Sequence, residues 1–202
     1  FYNRAKEMDG FQLAGFVNHA KTVNGIQLSV VNVADSVASG ATIGLFNFVR
    51  KGLHQLSLSY NDVTDVNLDF RGGTHAFYSI LSSGIQLKAN YIWSYGLGFG
   101  RQFKVSKKLF SNIELSSHAL SSKASSFDNL NLLNKLNLNF GYQLAPHFSL
   151  NLGPTLNIYV SDAFNENTQK YGYDIVRTPI YSKNYTSSGV SIWLGYSASL
   201  KF

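Results

Sequence analysis

The chain has 202 residues, no cysteine, a formal net charge of +6 and only 14% charged side chains. The lack of thiols excludes a disulfide framework and a thiolate metal centre, and no apolar run approaches the ~20 residues of a membrane-spanning helix. Basic residues cluster only at Arg50-Lys51 and from Lys104 to Lys108, both at predicted turns, which excludes an extended nucleic-acid surface. Fifteen Phe and twelve Tyr beside so few charges suit a chain in which apolar and polar residues alternate along strands.

Phe1 to Asp9 is polar and shows no clear periodicity. The chain opens on Phe1 rather than Met and carries no visible secretory signal, so a processed or incompletely covered N-terminus is expected. A weak repeat follows, with Gly10, Gly25 and Gly40 fifteen residues apart. Its units read Gly10-Phe-Gln-Leu-Ala-Gly-Phe-Val-Asn18, Gly25-Ile-Gln-Leu-Ser-Val-Val-Asn32 and Gly40-Ala-Thr-Ile-Gly-Leu-Phe-Asn47. A fixed period of this length fits a solenoid, and it also fits successive barrel strands of equal length. Hairpin-like segments come next, which favours barrel strands. Further strands are expected at Leu53 to Tyr60, Asp65 to Phe70 and His75 to Leu81, joined by Asn61-Asp62 and Arg71-Gly72-Gly73.

From Tyr91 the alternation sharpens. Tyr91, Trp93, Tyr95, Leu97 and Phe99 interleave with Ile92, Ser94, Gly96, Gly98 and Gly100, and small residues on one face suit a crowded interior. Leu109 to Leu120 puts Ile113, Leu115 and Ala119 on one face and Asn112, Glu114, Ser116 and His118 on the other. Leu132 to Leu144 and Phe148 to Val160 repeat the pattern across an Ala145-Pro146 turn, with a local irregularity expected at Pro154. Gly189 to Phe202 alternates strictly and stops on an aromatic residue. This ending resembles the C-terminal strand of bacterial outer-membrane β-barrels, in which assembly machinery reads a terminal aromatic; Tyr196, Leu200 and Phe202 would carry that signal. The usual Gly five residues before the end is replaced here by Ser197.

Counting back from Phe202, the short turns fall at one end. The long segments, Ser121 to Leu130 and Ser161 to Ser188, fall at the other. The expected fold is therefore all-β: a closed antiparallel transmembrane β-barrel of about 12 strands, ten to fourteen being compatible. It would occupy 10–202 as a single domain, with 1–9 a polar segment able to supply part of a strand.

The repeat units, Phe70-Arg-Gly-Gly-Thr-His-Ala-Phe-Tyr78, Leu133-Asn-Lys-Leu-Asn-Leu-Asn-Phe-Gly-Tyr142 and Leu152-Gly-Pro-Thr-Leu-Asn157 together resemble the surface-repeat barrel proteins in outer membranes of the Bacteroidota. The resemblance implies a Gram-negative outer-membrane location and, for some small members, service as accessory subunits of larger outer-membrane assemblies.

Glu114, Ser116 and His118 share one strand face and supply the residue types of a nucleophile, base and orienting group. Same-face neighbours on a strand stand roughly 7 Å apart, so polar interior residues are the simpler reading. The five His are scattered, and Asp62, Asp65 and Asp69 are better read as solvated turn carboxylates than as a metal site. Tyr171, Tyr173, Tyr181 and Tyr185 lie among Asn, Lys, Asp and Gly, a composition that suits protein or glycan recognition, or else packing on the barrel rim. The expected role is a non-enzymatic structural or accessory subunit of an outer-membrane assembly. Its partners would be outer-membrane lipid, the assembly machinery during biogenesis and outer-membrane proteins, with no cofactor, metal or nucleic acid. A small pore and a lipid A-modifying hydrolase are the alternatives.

Overall fold

The computed structural model describes residues 1–88, 91–122, 129–166, 169–176 and 178–202. All regular structure among them is strand. The first four strands are β1 (Tyr2–Leu13), β2 (Val17–Leu28), β3 (Val31–Ile43) and β4 (Phe46–Val49). They pair in parallel, in the order β1-β2-β3-β4, with Tyr2 opposite Val17, Val17 opposite Val31 and Val31 opposite Phe46. Parallel pairing of consecutive segments needs the chain to come full circle each time, so this part is a β-solenoid of about three turns.

The single barrel of about twelve strands expected over 10–202 is therefore overturned. Gly10, Gly25 and Gly40 mark stacked coils, not antiparallel barrel staves; β1, Tyr2–Leu13, includes most of the polar segment 1–9. The physical reason lies in the rungs. Asn18 donates to Asn32 Oδ1 at 3.2 Å and Asn32 to Asn47 Oδ1 at 2.9 Å. Gln27 donates to Gln12 Oε1 at 2.8 Å. Whole repeat units, with Asn, Gln and Gly all in step, stay aligned along their length only when neighbours run the same way. Ala20, Val23, Ala34, Val49 and Met8 fill the space inside the coils. Gly25 is required by close approach: a Cβ there would lie 2.0 Å from the carbonyl oxygen of Gly10.

The remaining strands form a second unit. They are β5 (Leu53–Asn61), β6 (Val66–Gly73), β7 (Tyr78–Gln86), β8 (Ile92–Lys104), β9 (Leu109–Ser122), β10 (Asn131–Ala145) and β11 (Phe148–Ser161). Two short pieces, β12 (Phe164–Asn165) and β13 (Lys170–Tyr171), pair with each other, and β14 (Tyr181–Asn184) leads to β15 (Gly189–Lys201). From β5 to β11 each strand pairs antiparallel with the next, and β15 pairs with both β11 and β5. Among the described residues, eight antiparallel strands thus share one ladder that closes into a ring, β15 meeting β5 over residues 197–201. Phe202 completes the seam by exchanging backbone hydrogen bonds with Leu56. At Pro154 the pairing to β10 lapses between Asn137–Thr155 and Phe140–Leu152 without a change of register.

The alternation in this ring puts polar residues inside and apolar residues outside. On β9, Ile113 and Leu115 are 46% and 60% exposed, while Glu114, Ser116 and His118 are each under a tenth exposed. Outward Leu97, Phe99, Leu138, Phe140, Leu152 and Leu194 continue the apolar exterior. The solenoid joins the ring at the end with the short turns, where β4 lies against β6 and β7. Gly72 is needed there, since a Cβ would lie 2.8 Å from the carbonyl oxygen of Asn47. The Ser121 to Leu130 segment falls partly outside the described residues.

Candidate functional site: the ring interior and the tyrosine loop

The middle of the ring holds a charged network. Arg71 on β6 grips Glu114 on β9 with two hydrogen bonds, from Nε at 2.8 Å and from Nη2 at 3.0 Å. Tyr78 donates its hydroxyl to the same carboxylate at 2.9 Å, and Lys201 approaches it to 3.7 Å. Arg71 also donates to Ser57 at 2.7 Å. Asp69 accepts from Ser57, Ser59 and Ser82. Charges this deep are tolerable only when paired and hydrogen-bonded, and five strands, β5, β6, β7, β9 and β15, supply the partners.

Lys135 is also buried and lines the cavity beside this network. Among the described residues it has no carboxylate within ion-pair distance.

Ser116 and His118, expected to stand too far apart, are in contact. His118 Nε2 lies 2.9 Å from Ser116 Oγ, and its Nδ1 lies 3.2 Å from Ser94 Oγ. The imidazole reaches along the strand because Gly96 opposite leaves room: a Cβ at 96 would lie 2.3 Å from Nδ1. Glu114 does not orient this histidine; it is held by Arg71, Tyr78 and Lys201. The position an orienting carboxylate would take in a hydrolytic triad is filled by a serine hydroxyl. The adjoining cavity is about 50 Å³, space for roughly four waters and far too little for an acyl chain.

The two ends of the interior are filled. At the loop end Val63, Ile92, Leu120, Leu133, Tyr159, Ile175 and Trp193 pack into one apolar cluster. Trp193 donates to Asp62 at 2.6 Å, and Asp62 sits over Gly195. At the other end Leu53, Tyr78 and Ile80 pack together. Asp65 caps the amide of Leu87, so Asp62, Asp65 and Asp69 each serve separate partners. No group of three potential metal ligands occurs among the described residues.

The four loop tyrosines separate into two pairs. Tyr171 and Tyr173 line a cavity of about 210 Å³ with Tyr159, Pro179, Lys170 and Asp174. Their hydroxyls are pinned, Tyr171 to the carbonyl of Thr186 at 2.9 Å and Tyr173 to the amide of Ser122 at 3.1 Å. Tyr181 and Tyr185 instead share a hydrogen bond of 3.2 Å on the exposed side of β14, which raises the Tyr181 phenol above its ordinary range. Lys183 Nζ lies 5.1 Å from the centroid of the Tyr185 ring. At the other end of β15, Tyr196 and Phe202 are exposed; Tyr196 packs near Tyr60 and Phe202 near Phe148.

Sequence reasoning missed Arg71, Asp69, Tyr78 and Lys201 as members of one site. The inward parity of Lys201 was the available signal. Comparison with protein-family models, curated proteins and solved structures finds no match to this chain.

Proposed function

We propose that the chain is a non-enzymatic structural subunit of an outer-membrane protein assembly in a Gram-negative bacterium, with lipid against the apolar outside of the antiparallel ring. The carrying observation is the inverted distribution: charged and amide side chains inside, Leu, Phe, Ile and Tyr outside. In water such an exterior is a very large apolar patch; against hydrocarbon it is the favourable arrangement, and ladder pairing along most of each strand suits that medium.

The filled interior argues against a pore, because apolar clusters close both ends of a cavity of about 50 Å³. It argues equally against a lipid hydrolase, since among the described residues the Ser116–His118 pair has no orienting carboxylate and adjoins a cavity too small for an acyl chain. What remains for function is surface: the tyrosine loop at one end and the solenoid at the other.

Native membranes washed with concentrated urea, then dissolved in mild detergent and affinity-purified through this chain, provide the test. The expected result is retention in the washed outer-membrane fraction and stoichiometric co-purification of an outer-membrane protein. Release by urea, or a lone monomer after purification, refutes the reading.

A further inference from the structure

One wall of the interior cavity of about 50 Å³ is built from β10 and β15. Lys135, Asn137 and Asn139 stand at alternate positions of β10, and Ser197 and Ser199 at alternate positions of β15, so all five face inward. Lys135, Asn139 and Ser199 are each more than nine-tenths buried. Polar groups this deep need partners.

On the opposite wall they have them. Glu114 is held by Arg71, Tyr78 and Lys201, and Asp69 takes three serine hydroxyls and lies 3.9 Å from Arg71 Nη1. The β10–β15 wall is left with donors. Ser197 donates to Asn139 Oδ1 at 2.7 Å, so the NH2 group is the free end of that amide. Among the described residues this NH2 group, the NH2 group of Asn137, the hydroxyl of Ser199 and the ammonium of Lys135 make no hydrogen bond. Asn137 Oδ1 is likewise without a partner, and turning that amide end for end exchanges its two atoms.

The charges leave the same remainder. Arg71, Lys201 and Lys135 stand against Asp69 and Glu114 in this part of the interior, and both carboxylates are already engaged. Lys135 is therefore the excess positive charge. Asp62, the next inward carboxylate, lies outside the cavity lining and beyond ion-pair distance; its Oδ2 accepts from Trp193 and Asn157. An ammonium carries three donors and no acceptor, and burying it without a counter-charge is strongly unfavourable. Water supplies acceptors without charge. An anion supplies both, and accepts from every free donor of this wall together.

We infer that the β10–β15 wall is the binding site of one small monovalent anion, halide-sized, chloride being the abundant member of that class. Lys135 supplies the charge, and the amides of Asn137 and Asn139 and the hydroxyl of Ser199 complete the donor set. Size and charge fix the class. Space for roughly four waters admits a bare halide with residual water and excludes a carboxylate-bearing metabolite, and a single excess cation calls for a single negative charge. Apolar clusters close both ends of the interior, so the ion is enclosed as the ring closes and belongs to the folded state. The inference concerns the interior alone and holds whether lipid or water surrounds the ring.

The test unfolds the full chain in detergent micelles with urea, followed by tryptophan fluorescence. Sodium chloride is exchanged for sodium isethionate at one fixed total concentration, so ionic strength is constant and the replacing anion is too large for the cavity. Uptake by the folded chain alone raises the folding equilibrium constant in proportion to 1 + [Cl⁻]/Kd; a Kd of about 10 mM gives about a tenfold rise between about 1 and 100 mM chloride. Lys135→Met should abolish the rise, and Ser199→Ala, which keeps the lysine, should reduce it. Each variant is compared with itself in the two salts, so its own folding cost drops out. Crystals grown in bromide should show anomalous density at hydrogen-bond distance from Lys135 Nζ. Equal wild-type stability in both salts overturns the inference and leaves Lys135 to water. A rise that persists in Lys135→Met places the ion elsewhere and overturns it as well. Should Lys135→Met fail to fold, a cavity without bromide density overturns it.

Discussion

Leu115→Arg separates lipid from water at the outside of the ring. Leu115 is the seventh of the fourteen residues of β9 and is 60% exposed. In water, an exposed substitution touching no buried group shifts stability by about 0.5 kcal/mol or less. In hydrocarbon, an arginine at mid-depth on the lipid face costs roughly 2–4 kcal/mol, falling to about 0–1 near the interfaces. Leu109 opens the same strand at the short-turn end and is 47% exposed, so Leu109→Arg is the matched control. The chain is refolded into phospholipid vesicles and unfolded in urea, followed by the fluorescence of Trp93 and Trp193. The expected gap between the two variants is about 2 kcal/mol, a factor of about thirty in the unfolding equilibrium. Equal and small losses for both refute the claim that this face meets lipid.

Glu114→Gln leaves Arg71 and Lys201 facing a neutral group inside the ring, and urea unfolding should show a loss of about 3–5 kcal/mol. Arg71→Met in the same chain should restore part of it, with a coupling of about 1–3 kcal/mol in a double-mutant cycle. Gly96→Ala drives a Cβ into the His118 ring and should cost about 1–3 kcal/mol by the same measurement. Asn32→Ala strands the amides of Asn18 and Asn47 and the carbonyl of Ile43, at about 1–3 kcal/mol; hydrogen exchange should quicken across 17–49 and stay unchanged in β9.

The inward face of the ring was legible because period-two alternation is a local property. Asn112, Glu114, Ser116 and His118 could be read as one polar face, and the glycines at 96, 98 and 100 as a crowded interior; the side chains that crowd them are His118, Ser116 and Tyr78. Which charge meets which was not legible, since Arg71 and Glu114 are joined only by the curvature of the ring. The solenoid was misread although its mark was present. Asn18, Asn32 and Asn47 recur at nearly constant spacing, in step with the glycines, and whole units stay aligned along their length only in parallel neighbours. Spacing of the glycines alone does not distinguish the two arrangements; glycine and amide recurring together do. The distance rule for same-face residues failed at Ser116 and His118 because it measures backbone positions, and the imidazole lies along the strand. The Tyr loop gave composition without geometry, so its division into a pinned pair and an exposed pair had no signal.

The seam between β15 and β5 has a kinetic consequence. Lys201 pairs with Ser57, so closing the ladder must bring together stretches separated by most of the chain. Contacts this remote make assembly slow, and until the seam forms, β5 and β15 are raw edges. The coils need only join segments about fifteen residues apart, a short search. The solenoid is thus equipped to order early, standing as a finished foundation beside β6 and β7 while the staves above it are still unjoined.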